Sequence, residues 1–323
     1  MLWSKNNKKL RLGTRGSALA LAQSSMIATE LRQHHPDLDI EQVTIQTSGD
    51  KFKGDYLAEA GGKGLFAKEI EEALLKGTID FAVHSLKDLP GILPDALTLA
   101  CYPKREDARD CLISKKNLSL SELPGGSIIG TSSPRRAAQI LSLRPDCKTA
   151  PIRGNVDTRL KKLQENHYDA IILAVAGLNR LKLDSGFRRN DVFHTMLDPE
   201  IFIPAVGQGI LGIETRKNET ALIEFLRETL EDPDTAIAAR AERGFLAAVG
   251  GDCYSPIAAY ATVVREQIKM FCWIGAPNGK TVVRLEKTGE ISNPELLGGK
   301  LAEEALDKGG REILDAIARC AKT

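Results

Sequence analysis

The sequence predicts three domains, two of α/β class and a small C-terminal α+β domain with a three-stranded antiparallel sheet. Three observations carry this. Strand-like and helix-like segments alternate from 9 to 100 and again from 110 to 180. A further strand-like piece, Gly207 to Glu214, returns after the second series. If it rejoins the first, the two α/β domains share a double crossover, with hinges near 103–109 and 204–209. After Thr215 the alternation stops and three strand-like runs follow one another, the last two joined by Asn278-Gly279, a strong hairpin turn. The expected division is 1–103 plus 208–227, then 104–207, then 228–323.

Each element has its own reason. Lys9 to Gly13 reads as a strand, Thr14-Arg15-Gly16-Ser17 as a turn, and Ala18 to Gln33 as an Ala/Leu-rich helix that Thr14 or Ser17 can cap. Ile40 to Gln46 alternates like a strand. The loop 47–64 is Gly- and Lys-rich and holds Asp50 and Gly61-Gly62-Lys63-Gly64; its spacing fails the nucleotide-binding phosphate-loop pattern. Leu65 to Lys76 is an amphipathic helix stopped by Gly77. Ile79 to Val83 is an apolar strand that runs into His84-Ser85-Leu86-Lys87-Asp88-Leu89-Pro90, and Leu97 to Tyr102 is another strand. In the second series Asp110 to Ser114, Ile128 to Gly130 and Asp169 to Val175 read as strands, and 183–198 as surface loop. Pro233 to Ala248 is a helix, and Ile257 to Val264, Gln267 to Ile274 and Thr281 to Glu286 are strands. Helices over Pro294 to Lys308 and Arg311 to Ala321 close the chain.

Composition narrows function by exclusion. Lys+Arg total 44 against Asp+Glu 43, so no broad basic surface exists for nucleic acid, and any positive patch must be local. No apolar run reaches the length of a membrane span. Met1 to Leu10 is polar and lysine-rich with no apolar segment behind it, which predicts a cytoplasmic protein. The six cysteines, at 101, 111, 147, 253, 272 and 320, contain no C-x-x-C pair, and the five histidines form no cluster, so neither a metal site nor a disulfide framework is expected. Cys101, Cys111 and Cys272 lie in apolar strands and are expected in the core; Cys147 and Cys320 look incidental.

The chemistry concentrates at strand-to-helix junctions. Ile128 to Arg136 ends a strand in Thr131-Ser132-Ser133-Pro134-Arg135-Arg136, and Pro151 to Leu160 repeats the theme with Arg153-Gly154-Asn155 and Thr158-Arg159. Arg15 occupies a third such junction and Arg180 follows a fourth strand. A helix N-terminus offers unpaired N–H groups, and arginine adds forked donors that match carboxylates. One such loop is as well explained by surface ion pairs; successive loops point to a cleft for a polyanion. Asp88 is the best placed acid, able to stabilise a cation or relay a proton, the bland alternative being a surface pair with Lys87. His84 can serve in acid–base chemistry, but a hydrogen-bonded structural histidine is the favoured reading. Cys253 sits in a Gly-Gly-Asp loop, where a thiol can be a nucleophile, an attachment point or a bystander.

Together these stretches closely resemble the porphobilinogen deaminase (hydroxymethylbilane synthase) family. The matching pieces are Thr14-Arg15-Gly16-Ser17, Gly61 to Phe66, His84 to Asp88, Gly130 to Ser133 with Arg135-Arg136, Arg153 to Val156 with Thr158-Arg159, Ala205-Val206-Gly207-Gln208-Gly209, and the Cys253 loop. They follow the family's order over nearly the full length. The resemblance implies two periplasmic-binding-protein-like α/β domains and a third, cofactor-bearing domain. It implies a transferase that deaminates four porphobilinogen molecules and joins them head to tail into linear hydroxymethylbilane. The product grows on a dipyrromethane cofactor held by a thioether to Cys253.

The resemblance also assigns roles: Asp88 catalytic; Lys87, Ser85, Thr131, Ser132, Ser133, Arg135, Arg136 and Asp50 for the cofactor; Arg15, Ser17, Arg153, Arg159, Arg180, Lys63, Phe66 and Gln208 for substrate. It implies a monomer with no metal, membrane or nucleic-acid partner, and a lid formed by Phe66 and 47–64. The polyanion reading fits, because each pyrrole ring brings an acetate and a propionate. Three departures stand out. Glu59 and Ala60 occupy places where relatives often carry a lysine, the cysteine loop reads Gly-Gly-Asp-Cys, and 183–195 looks like an insertion. A two-lobed binding protein for an anionic small molecule would explain the arginines, but neither Asp88 nor the third domain with its cysteine.

Overall fold

A computed structural model describes residues 9–47, 67–181, 193–250 and 255–320. Asp50, Lys63, Phe66, Cys253 and, apart from Thr47, the expected lid lie outside the described residues. In chain order the first elements are β1 (Lys9–Arg15), α1 (Ala18–His34), β2 (Asp39–Ile45), α2 (Lys68–Leu75), β3 (Phe81–Ser85) and β4 (Leu97–Cys101). Next come β5 (Asp110–Ser114), β6 (Ile128–Gly130), α3 (Pro134–Leu143), β7 (Lys148–Ala150), α4 (Val156–Gln164), β8 (Ala170–Ala174), α5 (Val175–Arg180) and β9 (Phe193–Met196). The last are β10 (Leu211–Arg216), α6 (Thr220–Leu230), α7 (Pro233–Val249), β11 (Ile257–Val264), β12 (Gln267–Gly275), β13 (Val282–Glu290), α8 (Pro294–Ala305) and α9 (Arg311–Cys320).

The chain divides into two compact units: Met1–Glu106 with Ile210–Ala239, and Asp107–Gly209 with Arg240–Thr323. The first unit holds a five-stranded sheet in the order β2-β1-β3-β10-β4. β1 pairs parallel with β2 and β3, and β10 runs antiparallel between β3 and β4. The second unit repeats the plan as β7-β6-β8-β5-β9, with β5 antiparallel between β8 and β9. In each sheet the antiparallel strand is the one that enters from the crossing chain. This is the double crossover expected of the periplasmic-binding-protein-like arrangement. The second unit also contains the three-stranded antiparallel sheet β11-β12-β13.

Burial follows from the sequence. β3 and β8 are apolar over most of their length because both sheet faces are covered. In the first unit Leu10, Leu12, Ile27, Leu31, Phe81 and Ile213 pack with Leu222, Phe225 and Leu226 of α6 on one face. Ile70, Leu74, Ile79 and Ala82 form the other face. In the second unit Cys111, Ile113, Ile171 and Leu173 line one face, and Leu112, Ile129, Ile140 and Ile172 the other. Ala138 and Ile203 pack on Phe271 and Trp273 of the antiparallel sheet.

The structure differs from the sequence reading in four places. α6 goes unread in the sequence, although Leu222, Phe225, Leu226 and Leu230 mark a helical stripe, now buried. Part of the segment read as loop over 183–198 is β9, an edge strand on β5 too short to show alternation. The helix from Pro294 ends at Ala305, before Gly309 turns the chain at φ 105°. Cys147 is core rather than incidental, only 4% exposed. Burial pushes the thiols of Cys111 and Cys272 up to about 12, which keeps these core cysteines inert.

Candidate active site and anion cradle

In each α/β sheet the site residues gather at the carboxyl ends of the parallel strands, where open sheets bind ligands. In the first unit β1 ends in Arg15, and Ser17 caps α1 by accepting from the Ala20 N–H. β3 ends in Ser85, followed by a single 3-10 turn, Leu86–Asp88. This turn is pinned from behind. Leu86 N–H donates to the Ile210 carbonyl, and Leu86 and Leu89 are buried with Ala67, Tyr102, Ile210, Ala236 and Ala239. Between the two anchored leucines Asp88 stands exposed, with no hydrogen-bond or ion-pair partner among the described residues. Arg15, Ser17, Gln23, His84, Ser85 and Asp88 line one pocket of about 60 Å³. The buried Gln23 amide donates to Ser85 Oγ at 2.9 Å.

His84 Nε2 lies 2.9 Å from Glu214 Oε2, and both side chains are buried. Sequence reasoning missed Gln23 and Glu214. A carboxylate directly after the apolar run Ile210 to Ile213 was the signal for Glu214; Gln23 gave none, being one of several polar residues in its helix.

The second unit holds the arginine loops. Ser133 caps α3 by accepting from the Arg136 N–H, with Pro134 opening the first turn. Asn155 caps α4 in the same way through the Thr158 N–H. Ser132 Oγ donates to the Ile152 carbonyl at 2.8 Å and accepts from the Ile152 N–H at 3.0 Å, which ties the two loops together. Thr131 is buried, and its Oγ1 accepts from the Ser133 N–H. The three hydroxyls expected to hold the cofactor therefore shape the loops. Gly154 has φ 116°, and a Cβ there would lie 2.6 Å from the Thr158 side chain, so only glycine lets Arg153 and Arg159 share this turn.

Asp110, absent from the expected site, organises the cluster. Its carboxylate accepts from Arg135 Nη2 at 2.7 Å, from Arg136 Nη2 at 2.7 Å and from Gln208 Nε2 at 2.9 Å. The two guanidiniums hold this buried acid far below the usual carboxylate range, against the opposing effect of its burial. Arg135 and Arg136 also donate to the Ile203 and Ile172 carbonyls. Gln208, expected to bind substrate, is wholly buried and holds Asp110 and the Ala108 carbonyl from behind. Arg180 is buried and donates to the Gly209 carbonyl. Arg159 remains half-buried, its Nε on the Gly154 carbonyl. Burial and then the like charge of Arg136 push Arg159 below its ordinary value. Two guanidiniums thus share one buried carboxylate, and the charge of Arg136 also reaches Arg159 on the next loop. A group carrying several carboxylates fits that donor set.

Asp110→Asn leaves two buried guanidiniums without their counter-charge. It is expected to lower the unfolding free energy by about 3–5 kcal/mol, read by denaturant titration. The sign with pH follows from the depressed pKa. Asp110 stabilises the folded state above the ordinary Asp range near 3.9 and loses that contribution as pH falls below it. The gap between parent and variant should therefore stay constant from about pH 5 upward and close in strong acid.

Two family models match the chain. One, described as porphobilinogen deaminase, dipyromethane cofactor binding domain, covers residues 10–224; the other, porphobilinogen deaminase, C-terminal domain, covers 236–307. The chain is 45% identical over 310 residues to a porphobilinogen deaminase of Macrococcus caseolyticus, covering 96% of this chain and 98% of that protein. It is 46% identical to one of Roseiflexus castenholzii, covering 94% of this chain and 98% of that protein. It is 47% identical to one of Trichlorobacter lovleyi, covering 96% and 97%. Among solved structures, a Bordetella pertussis BvgS periplasmic VFT2 domain is similar at 11% identity and a TM-score of 0.43, over 71% of this chain and 89% of that one.

Proposed function

The chain belongs to the porphobilinogen deaminase family, and from that membership we infer that it deaminates porphobilinogen and couples four molecules into linear hydroxymethylbilane. It is a transferase of tetrapyrrole biosynthesis that works on a dipyrromethane cofactor. When bound, the cofactor supplies the primer on which the product grows. The observation that carries the reading at the level of residues is the guanidinium excess around Asp110, which suits acetate and propionate side chains.

The residue roles follow from the chemistry. Cys253 is the attachment point. Arg136, Arg153 and Arg159 hold carboxylates at the ends of β6 and β7, with Arg135 and Gln208 fixing Asp110 behind them. Thr131, Ser132 and Ser133 keep the loops in the shape that presents those donors. Arg15 binds a substrate carboxylate at the end of β1, and Lys87 another beside Asp88. Asp88 faces the positive charge that develops as ammonia leaves. Asp50, Lys63 and Phe66 are assigned to cofactor and substrate binding from the sequence resemblance alone. The working form is a monomer of three functional parts, 1–103 with 208–227, 104–207 and 228–323, acting in the cytoplasm without a metal.

The test is product analysis with purified protein and porphobilinogen alone. The expected result is stoichiometric release of ammonia with accumulation of an unstable linear tetrapyrrole. Tight binding of porphobilinogen without ammonia release would favour the binding-protein reading instead.

A further inference from the structure

Behind the pocket lined by Asp88 lies a group of titratable side chains to which the coupling chemistry assigns no role. His84 lines that pocket and is the residue before the end of β3. Its Nε2 lies 2.9 Å from Glu214 Oε2 on the neighbouring strand β10, where Glu214 is fully buried. Glu71 on α2 completes the group. Its carboxyl is raised above the ordinary glutamate value, first by burial and then by the charge of Glu214, with His84 acting the other way. One oxygen of Glu71, both of Glu214 and His84 Nε2 are buried without a well-aligned hydrogen-bond partner among the described residues. The charged groups facing His84 are Glu214 from β10 and Glu71 from α2, with Arg15 and Asp88 around the pocket; α1 contributes only the neutral Gln23.

Two neighbouring carboxylates in a buried place do not both ionise readily beside a single imidazole. Burial and the charge of Glu214 favour the protonated form of Glu71, beside the His84–Glu214 contact. Each coupling must dispose of one proton. The C–N bond of the incoming aminomethyl group breaks and ammonia leaves with the electron pair. A C–C bond forms between its methylene carbon and the α-carbon of the chain's terminal ring. The C–H bond at that α-carbon then breaks, its electrons return to the ring, and the proton leaves, so that ammonia plus this proton balance as ammonium. We propose that His84, with Glu214 and Glu71 behind it, is the relay that receives this proton from the pocket lined by Asp88 and passes it to solvent. Glu214 and Glu71 are positioning residues, acting through the imidazole. The proposal rests on the reading that coupling occurs in this pocket.

His84→Gln separates the relay from a structural role, because the amide still donates to Glu214 but no longer takes up a proton. The expected result is an unchanged fold, KM within about twofold, and kcat reduced by about 10²-fold, with one limb of the pH–rate profile lost. Glu214→Gln is expected to keep the limb and displace it. Independently of any variant or of turnover, NMR of the unmutated protein with ring-labelled histidine should show the His84 ring changing protonation state within the pH range of the activity profile. A His84→Gln enzyme with parental kcat and pH profile overturns the relay, as does a His84 ring that keeps one state throughout. Should the variant not fold, the NMR titration still decides. An Asp88→Ala enzyme of normal rate would instead remove the reaction from this pocket and leave the His84 titration as measured.

Discussion

Asp88→Ala is expected to fold like the parent and to lose turnover by a factor of about 10³ or more. The two halves of this expectation have separate physical causes. The fold survives because Asp88 is exposed and bonded to nothing among the described residues, while the turn that carries it is held by Leu86 and Leu89 in the core and by the Leu86 N–H on Ile210. Removing such a side chain changes stability by no more than about 0.5 kcal/mol. Turnover falls because loss of ammonia leaves a cation, and an ionised carboxylate fixed beside it lowers the barrier in a way mobile water does not. Binding of the anionic substrate should be little affected, since alanine removes a negative charge from its surroundings. The loss therefore belongs in kcat rather than KM. Asp88→Asn keeps the shape and removes the charge, and should be nearly as slow. A near-normal rate in either variant would take Asp88 out of the chemistry.

The arginine loops and the acid were legible because their residue types and positions carry the chemistry directly. Arg15 ends β1, Arg136 lies in the first turn of α3, Arg153 lies in the loop between β7 and α4, and Arg159 lies in the first turn of α4. Ser17, Ser133 and Asn155 sit where a capping residue must sit, and all three cap. What the sequence could not display is partnership. Asp110 lies 25 and 26 residues from its two arginines and 98 from Gln208, so nothing local marks it as the counter-charge of the cradle. The same separation hid the pairing of His84 with Glu214, which arises only because β10 returns beside β3. β9 and α6 were lost for other reasons. One is too short to show a period, and the other falls where the α/β alternation had just ended.

The partnership of Asp110 also changes the meaning of the arginine pair. Read alone, Arg135 and Arg136 are two donors for an anion. Bonded to Asp110 and to the Ile203 and Ile172 carbonyls, they are a fixed framework whose remaining charge, with that of Arg159, is felt in one place. Fixing the donors before the ligand arrives lowers the entropic cost of binding it. This suits an enzyme that must hold one end of a lengthening polyanion without reshaping its cradle at each addition.

Cys253→Ser tests the covalent side of that design and is expected to abolish turnover. The parent protein should carry an adduct of two linked pyrroles, seen as added intact mass, and the variant should carry none, because a hydroxyl does not replace the thiolate as a carbon nucleophile. Without a tethered primer every coupling becomes an encounter between free molecules, and the effective concentration gained by tethering is lost. The arginine cluster supplies a second readout. In the parent, the primer's carboxylates are expected to offset the mutual repulsion of Arg136 and Arg159, which the variant should retain. The variant should therefore unfold at a lower temperature than the parent, by an amount that shrinks as sulfate or phosphate is added, because multivalent anions occupy and screen the same charges. A parent protein of unmodified mass and full activity would refute the tether, whereas an unloaded variant with parental stability would show that the primer's carboxylates do not lie in this cradle.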